Sequence, residues 1–328
     1  MDIKMKTITT FKGMPKPIIC PRFIELKAVY GCGFQCAYCY LRGTLAMLSK
    51  RGEVPVMSYD RYLKRLDEVG RDLTKFFKLN IRPQLLNAGE LGEPLMFEHT
   101  MMPLSIWLMK AFAHNPKRHK IMLLTKSTYT NVITKVLERI RVDDEEYGRP
   151  ENYLIMAFSV STKTTNSYEG SAPSTSHRLR TAKHLQQLGI PIRLRLDPLL
   201  PLPDMNVACG QIRELVTQIS KTMYLSKVER ITLGTPRINN SRLWAQPFWH
   251  VTMKPYMHAI RTDEGKNVWR LRQCDRHLLY QTALEELEKK GYKNPIALCK
   301  EDRLVWRDLR AAGFKRLDPN NCRCNCVM

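Results

Sequence analysis

No stretch of about 18 consecutive apolar residues occurs in this 328-residue chain, which excludes an ordinary membrane-spanning helix. The first eleven residues lack the apolar run of a secretory leader, so a cytoplasmic protein is expected. No internal repeat or low-complexity tract is visible, which excludes solenoids and disordered linkers. Acidic residues are scarce: 31 Asp and Glu stand against 53 Lys and Arg, a formal charge of +22. Such an excess favours a polyanionic partner, DNA or another nucleic acid, with a merely basic soluble surface as the bland alternative. A hydrophobic content of 44% and a length of 328 residues provide a full core in one large or two ordinary domains. Ten cysteines in a chain without an export signal point to metal binding or thiol chemistry rather than a disulfide framework.

Short apolar or alternating runs recur at 23–29, 84–87, 121–124, 153–160, 192–196 and 230–234. Helical patterns separate them at 59–77, 102–114, 129–141, 176–188 and 207–225. Strands alternating with helices predict a parallel α/β sheet, open or curled into part of a barrel. From about Trp244 the alternation stops, and a mainly helical C-terminal extension is expected. The chain thus divides into an N-terminal segment (1–22), a barrel (23–240) and an extension with a cysteine-rich tail (241–328). In such folds reactive groups gather at the carboxyl ends of strands.

Cys32, Cys36 and Cys39 have C-x3-C-x2-C spacing directly after the first strand, beside Gly31 and Gly33. Three thiolates on one loop can bind three irons of a [4Fe–4S] cubane and leave the fourth for a non-protein ligand. A four-ligand zinc site would need another donor nearby.

This loop resembles that of the radical S-adenosylmethionine (SAM) superfamily, over roughly residues 20–240. The resemblance implies a partial (β/α)6 barrel of the TIM type, with Cys32, Cys36 and Cys39 on the cluster. It also implies SAM on the open iron, a reductase supplying electrons, and a soluble monomer. Asn87-Ala-Gly89-Glu90 is similar to the family motif that holds the SAM amino group. Lys126, Ser159 and Arg195 stand at successive predicted strand ends. A cationic Lys126 or Arg195 could pair with the SAM carboxylate, and Ser159 could reach the ribose.

The flank from Gly31 to Leu45 resembles the cluster loop of the spore photoproduct lyase branch, as do Glu169, Arg178-Leu-Arg180 and Asp197-Pro198-Leu-Leu-Pro201. Tyr38 and Tyr40 match tyrosines linked there to hydrogen-atom return, with aromatic packing as the alternative; Tyr38 also faces the cofactor in this reading. One departure matters. That branch carries a hydrogen-donor cysteine some forty residues past the cluster, whereas no cysteine lies here between Cys39 and Cys209. Glu90 and Glu93 occupy the matching stretch.

Cys299, Cys322, Cys324 and Cys326 could supply a second cluster, a zinc site or a redox thiol, or form a tail of free thiols. Cys274 could replace Cys299, and Cys20 and Cys209 have no assigned role. Trp244, Trp249 and His250 sit among Arg237, Arg242 and Lys254, a pattern suited to base stacking beside phosphates or to an apolar helix over the barrel mouth.

The functional expectation is a radical SAM enzyme, lyase-like or isomerase-like, that abstracts hydrogen from a thymine or modified thymine in nucleic acid. The alternatives are a radical SAM enzyme modifying a peptide or small molecule, and a non-catalytic iron–sulfur protein that binds nucleic acid.

Overall fold

A computed structural model describes residues 2–45, 53–140, 145–238, 240–265 and 267–328. At the N-terminus, β1 (Ile8–Phe11) and the short β2 (Ile18–Ile19) precede β3 (Phe23–Leu26). The repeated unit then runs α1 (Leu41–Thr44), α2 (Tyr59–Phe77), β4 (Leu85–Ala88), α3 (Leu104–Ala113) and β5 (Lys120–Thr125). It continues through α4 (Asn131–Arg139), α5 (Pro150–Tyr153), β6 (Leu154–Ser159), α6 (Lys163–Ser167) and α7 (Thr175–Gln187). It closes with β7 (Ile192–Leu196), α8 (Met205–Thr222) and β8 (Val228–Leu233).

Strands β3 to β8 pair in parallel in sequence order, and β1 adds antiparallel to β3. This is the partial barrel expected from the alternation. Its helices form for readable reasons. In α2 the buried Tyr62, Leu66, Val69, Leu73 and Phe76 recur at spacings of three and four, one apolar stripe against the sheet. Ser174 and Asp204 cap α7 and α8 by accepting from His177 N and Val207 N.

β6 is buried at every position, because both of its faces are covered. Leu154, Met156 and Phe158 join the large core under the helices. Ile155 and Ala157 turn the other way and meet Leu85 and Met122 in a small apolar cluster inside the sheet's concave face. Asn87 on β4, Arg193 on β7 and Thr232 on β8 make the rest of this interior polar, each hydrogen-bonded to residue 325 or 326.

The extension carries the expected helices, α9 (Gln273–Lys289) and α10 (Arg303–Ala311). Just before the extension, β9 (Arg237–Ile238) forms a separate antiparallel sheet with the extension's β10 (Met257–Arg261) and β11 (Asn267–Leu271). Strand β12 (Ile296–Leu298) pairs in parallel with β8 and lengthens the barrel sheet, while β13 (Glu301–Asp302) pairs with β2. The apolar Ile296-Ala-Leu298 is too short to announce a strand; β8 supplies the partner that makes it one. Among the described residues no helix is long and apolar enough to cross a membrane.

Candidate functional site

The cysteine loop leaves β3 through Gly31, whose φ of +85° lies in the left-handed region. A Cβ there would sit 1.9 Å from Pro55 O, so only glycine fits. Cys32 N donates to Pro55 O at 3.0 Å, and the Gln35 amide clamps Val54 from both sides, at 2.7 and 3.0 Å. Arg42 donates to Cys36 O and Gln35 O. The loop is therefore fixed by backbone contacts, leaving its thiols to face the interior.

Cys32, Cys36 and Cys39 line a cavity of about 400 Å³. That volume lies within the range of small-molecule sites. Gly89 and Glu90 after β4, Lys126 after β5, Ser159 at the end of β6 and Arg195 at the end of β7 line the same cavity. The ends of β4, β5, β6 and β7 thus meet at one cavity. Tyr38, Tyr40 and Trp249 line it too.

A buried polar network backs one wall. Glu169 is fully buried and accepts from Tyr38 Oη, from Ser161 Oγ at 2.7 Å and from the Arg178 guanidinium. Lys126 Nζ stands 3.4 Å from the same carboxylate and donates to Ser159 Oγ at 3.1 Å. Burial alone would push the Glu169 carboxyl up, but Lys126 and Arg178 hold it down at about 2. Burial would likewise discharge Lys126, and Glu169 keeps it above the usual lysine value. Glu93 accepts from Thr125 Oγ1 and from Lys126 N at 3.1 Å, which fixes the turn after β5.

The facing wall is ionic. Asp197 Oδ2 lies 3.0 Å from Arg195 Nη2 and 3.2 Å from Arg237 Nη2. Both guanidiniums also reach Cys299 Sγ, at 3.2 and 3.3 Å. Burial opposes the Asp197 charge, but Arg237 and Arg195 pull its carboxyl well below the usual range. Glu90 Oε1 is 3.6 Å from Arg195 Nη1.

Several expected residues stand elsewhere. Asn87 is not on the cavity; its Nδ2 donates to Ile24 O and to Cys326 O, because strand alternation turns it into the barrel below Gly89. Trp244 packs edge-on against Trp269, with centroids 5.1 Å apart, which favours its packing reading. His250 is exposed. Trp249 alone of that group reaches the cavity, and its buried Nε1 has no hydrogen-bond partner. It lies in a π-helical turn, Phe248–Met253, a rare element that often marks functional sites. Arg237, expected beside the aromatic group, lines the cavity, and so does Lys300, which the sequence did not single out. Lys300 has a φ of +49°, unusual for a residue with a side chain.

The tail also differs from expectation. Cys299, Cys324 and Cys326 line a void of about 10 Å³, and the fourth thiol there is Cys20 rather than Cys322. That is room for about one water molecule and not for a cubane. A second cluster in the tail is therefore unsupported, and Cys274 is exposed, away from this void.

Among the described residues no three His, Cys, Asp or Glu side chains are gathered closely enough to hold a single metal ion. This bears on zinc more than on a cubane, whose protein sulfurs each bind a different iron. Cys32, Cys36 and Cys39 suit the cubane in number, in their shared loop and in facing one cavity. Burial pushes the Cys36 thiol up to about 12, and Cys32 rises further, with the neighbouring Glu93 and the other two thiols adding to it. Three bare thiolates are therefore disfavoured here, and only a cationic centre would offset that cost.

The same architecture occurs in solved structures. Spore photoproduct lyase complexed with dinucleoside spore photoproduct matches with a TM-score of 0.62 over 81% of this chain and 74% of that one, at 15% identity. A mutant of that lyase with bound AdoMet and dinucleoside spore photoproduct matches with a TM-score of 0.61 at 15% identity, over 81% and 74%. A further mutant with the dinucleoside matches at 0.63 and 15%, over 81% and 73%. At this identity the likeness is one of fold. No family model matches the sequence, and no curated protein does.

Proposed function

We propose that this chain is a radical SAM enzyme acting on a thymine or modified thymine in nucleic acid. The observation that carries the reading is the convergence of three loop thiols and residues from four strand ends on one cavity, in the fold of spore photoproduct lyase. Cys32, Cys36 and Cys39 would hold the cluster, and the bound cluster with SAM would supply one-electron cleavage to methionine and a 5′-deoxyadenosyl radical. Gly89 and Glu90 would meet the SAM amino group. Lys126 and Ser159, already hydrogen-bonded to each other, would face its carboxylate or ribose. Arg195 is tied to Asp197 and adds positive charge to the facing wall.

The nucleic-acid part rests on the charge of +22, on Arg237 and Lys300 at the cavity, and on the lyase structures bound to a dinucleoside. Trp249 offers an indole N–H without a partner beside the cavity, suited to a base carbonyl. No fourth thiol joins the cluster cysteines among the described lining residues. That favours rearrangement of a thymine substituent over a reaction that returns hydrogen from a cysteine. A one-electron donor protein is the implied partner.

The test is anaerobic reconstitution with iron and sulfide, then reduction with SAM. About four irons per chain and release of 5′-deoxyadenosine are expected. A fully loaded chain that releases none overturns the reading. Thymine-containing and hypermodified-thymine DNA, compared as substrates, separate the two substrate classes.

A further inference from the structure

We infer that residues 324–327, at the C-terminus, are a positioning element for the cofactor cavity, holding Glu90 and Arg195 from beneath; this rests on reading that cavity as the SAM site. Asn325, 1% exposed, ties the tail to two strands. Its Nδ2 donates to Leu194 O at 3.0 Å on β7, and its Oδ1 accepts from Thr232 Oγ1 at 2.9 Å on β8. Asn325 N returns a bond to Thr232 Oγ1 at 2.9 Å. Two guanidiniums then grip the tail carbonyls. Arg193 Nη1 donates to Asn325 O at 2.6 Å and Val327 O at 2.9 Å. Arg230 Nη1 donates to Cys324 O at 3.1 Å and Val327 O at 2.8 Å.

These are charge-assisted bonds in a buried place, the strong kind. The tail so held fills the polar side of the barrel interior, opposite the apolar cluster of Leu85, Met122, Ile155 and Ala157. From there it reaches the SAM wall directly at Glu90 and indirectly through Asn87. Cys326 O accepts from Asn87 Nδ2 at 3.0 Å, two residues before Gly89. Cys326 Sγ lies 3.9 Å from Glu90 Oε1, and the void beneath Glu90 and Arg195 is closed by Cys324, Asn325 and Cys326. Cys324, buried, and Cys326, half-buried, are thus small packing units of a plug. Their spacing follows from a turned segment whose carbonyls all find donors.

Asn325→Ala and Thr232→Val remove the same clamp from its two sides, one in the tail and one in the barrel. The probe is SAM, titrated against the reconstituted, reduced chain and read from the change in the cluster's EPR spectrum. The expected result for either variant is an affinity for SAM lower by about tenfold, with iron content unchanged. Hydrogen exchange at residues 89 and 90 rises in parallel. Affinity within about twofold of the parent in the variant that folds, with a lowered Tm only, makes the tail purely structural and overturns the inference. If the parent chain itself shows no spectral change with SAM, the SAM reading fails instead.

Discussion

The phenol of Tyr38 donates to the carboxylate of Glu169, 131 residues further along the chain. The bond joins the cysteine loop after β3 to the turn after α6, and the same carboxylate carries Lys126 and Arg178. One acid thus fixes a tyrosine, a lysine and an arginine behind the cavity.

Glu169→Gln leaves two buried cations without their partner and costs about 3–5 kcal/mol of stability. Anaerobic urea unfolding, followed by tryptophan fluorescence, measures it. Lys126 also loses its anchor, so release of 5′-deoxyadenosine falls along with stability.

The depressed Glu169 carboxyl predicts an acid limit. Its folded value is about 2 against an ordinary 4.5, so the contribution is complete above 4.5 and lost as pH falls toward 2. Stability measured across that window declines in the parent, and the decline is shallower in Glu169→Gln.

Gly31→Ala forces a Cβ onto Pro55 O in a left-handed backbone. The expected loss exceeds about 2 kcal/mol, with reduced iron uptake because the thiol loop shifts. Thermal unfolding and iron analysis check it together.

Replacing Cys32, Cys36 and Cys39 together by Ala abolishes iron binding and 5′-deoxyadenosine release. Replacing Cys322, Cys324 and Cys326 leaves the iron count at about four, since no cubane fits their void. A fall from about eight to about four would restore the auxiliary cluster.

Binding to thymine-containing duplex DNA weakens at least tenfold between about 50 and about 200 mM salt, the signature of released counterions. Binding that ignores salt would turn the substrate reading toward a neutral small molecule or peptide.

The sequence by itself determined the alternation of strands and helices and the thiol loop. Both are local: a buried strand such as β6 reads as a continuous apolar run, and C-x3-C-x2-C lies within eight residues. It also placed Lys126, Ser159 and Arg195 on a common edge, because a parallel sheet aligns the ends of its strands. Tertiary structure decided what depends on partners far away in the chain. Asn87 holds Cys326 O rather than a cofactor, 239 residues apart. Ile296–Leu298 became a strand because β8 offered an edge. Cys20, not Cys322, joined the void beneath Glu90. Residue spacing carries no record of such meetings; they follow from which buried donors and carbonyls must find one another once the barrel closes on its own C-terminus.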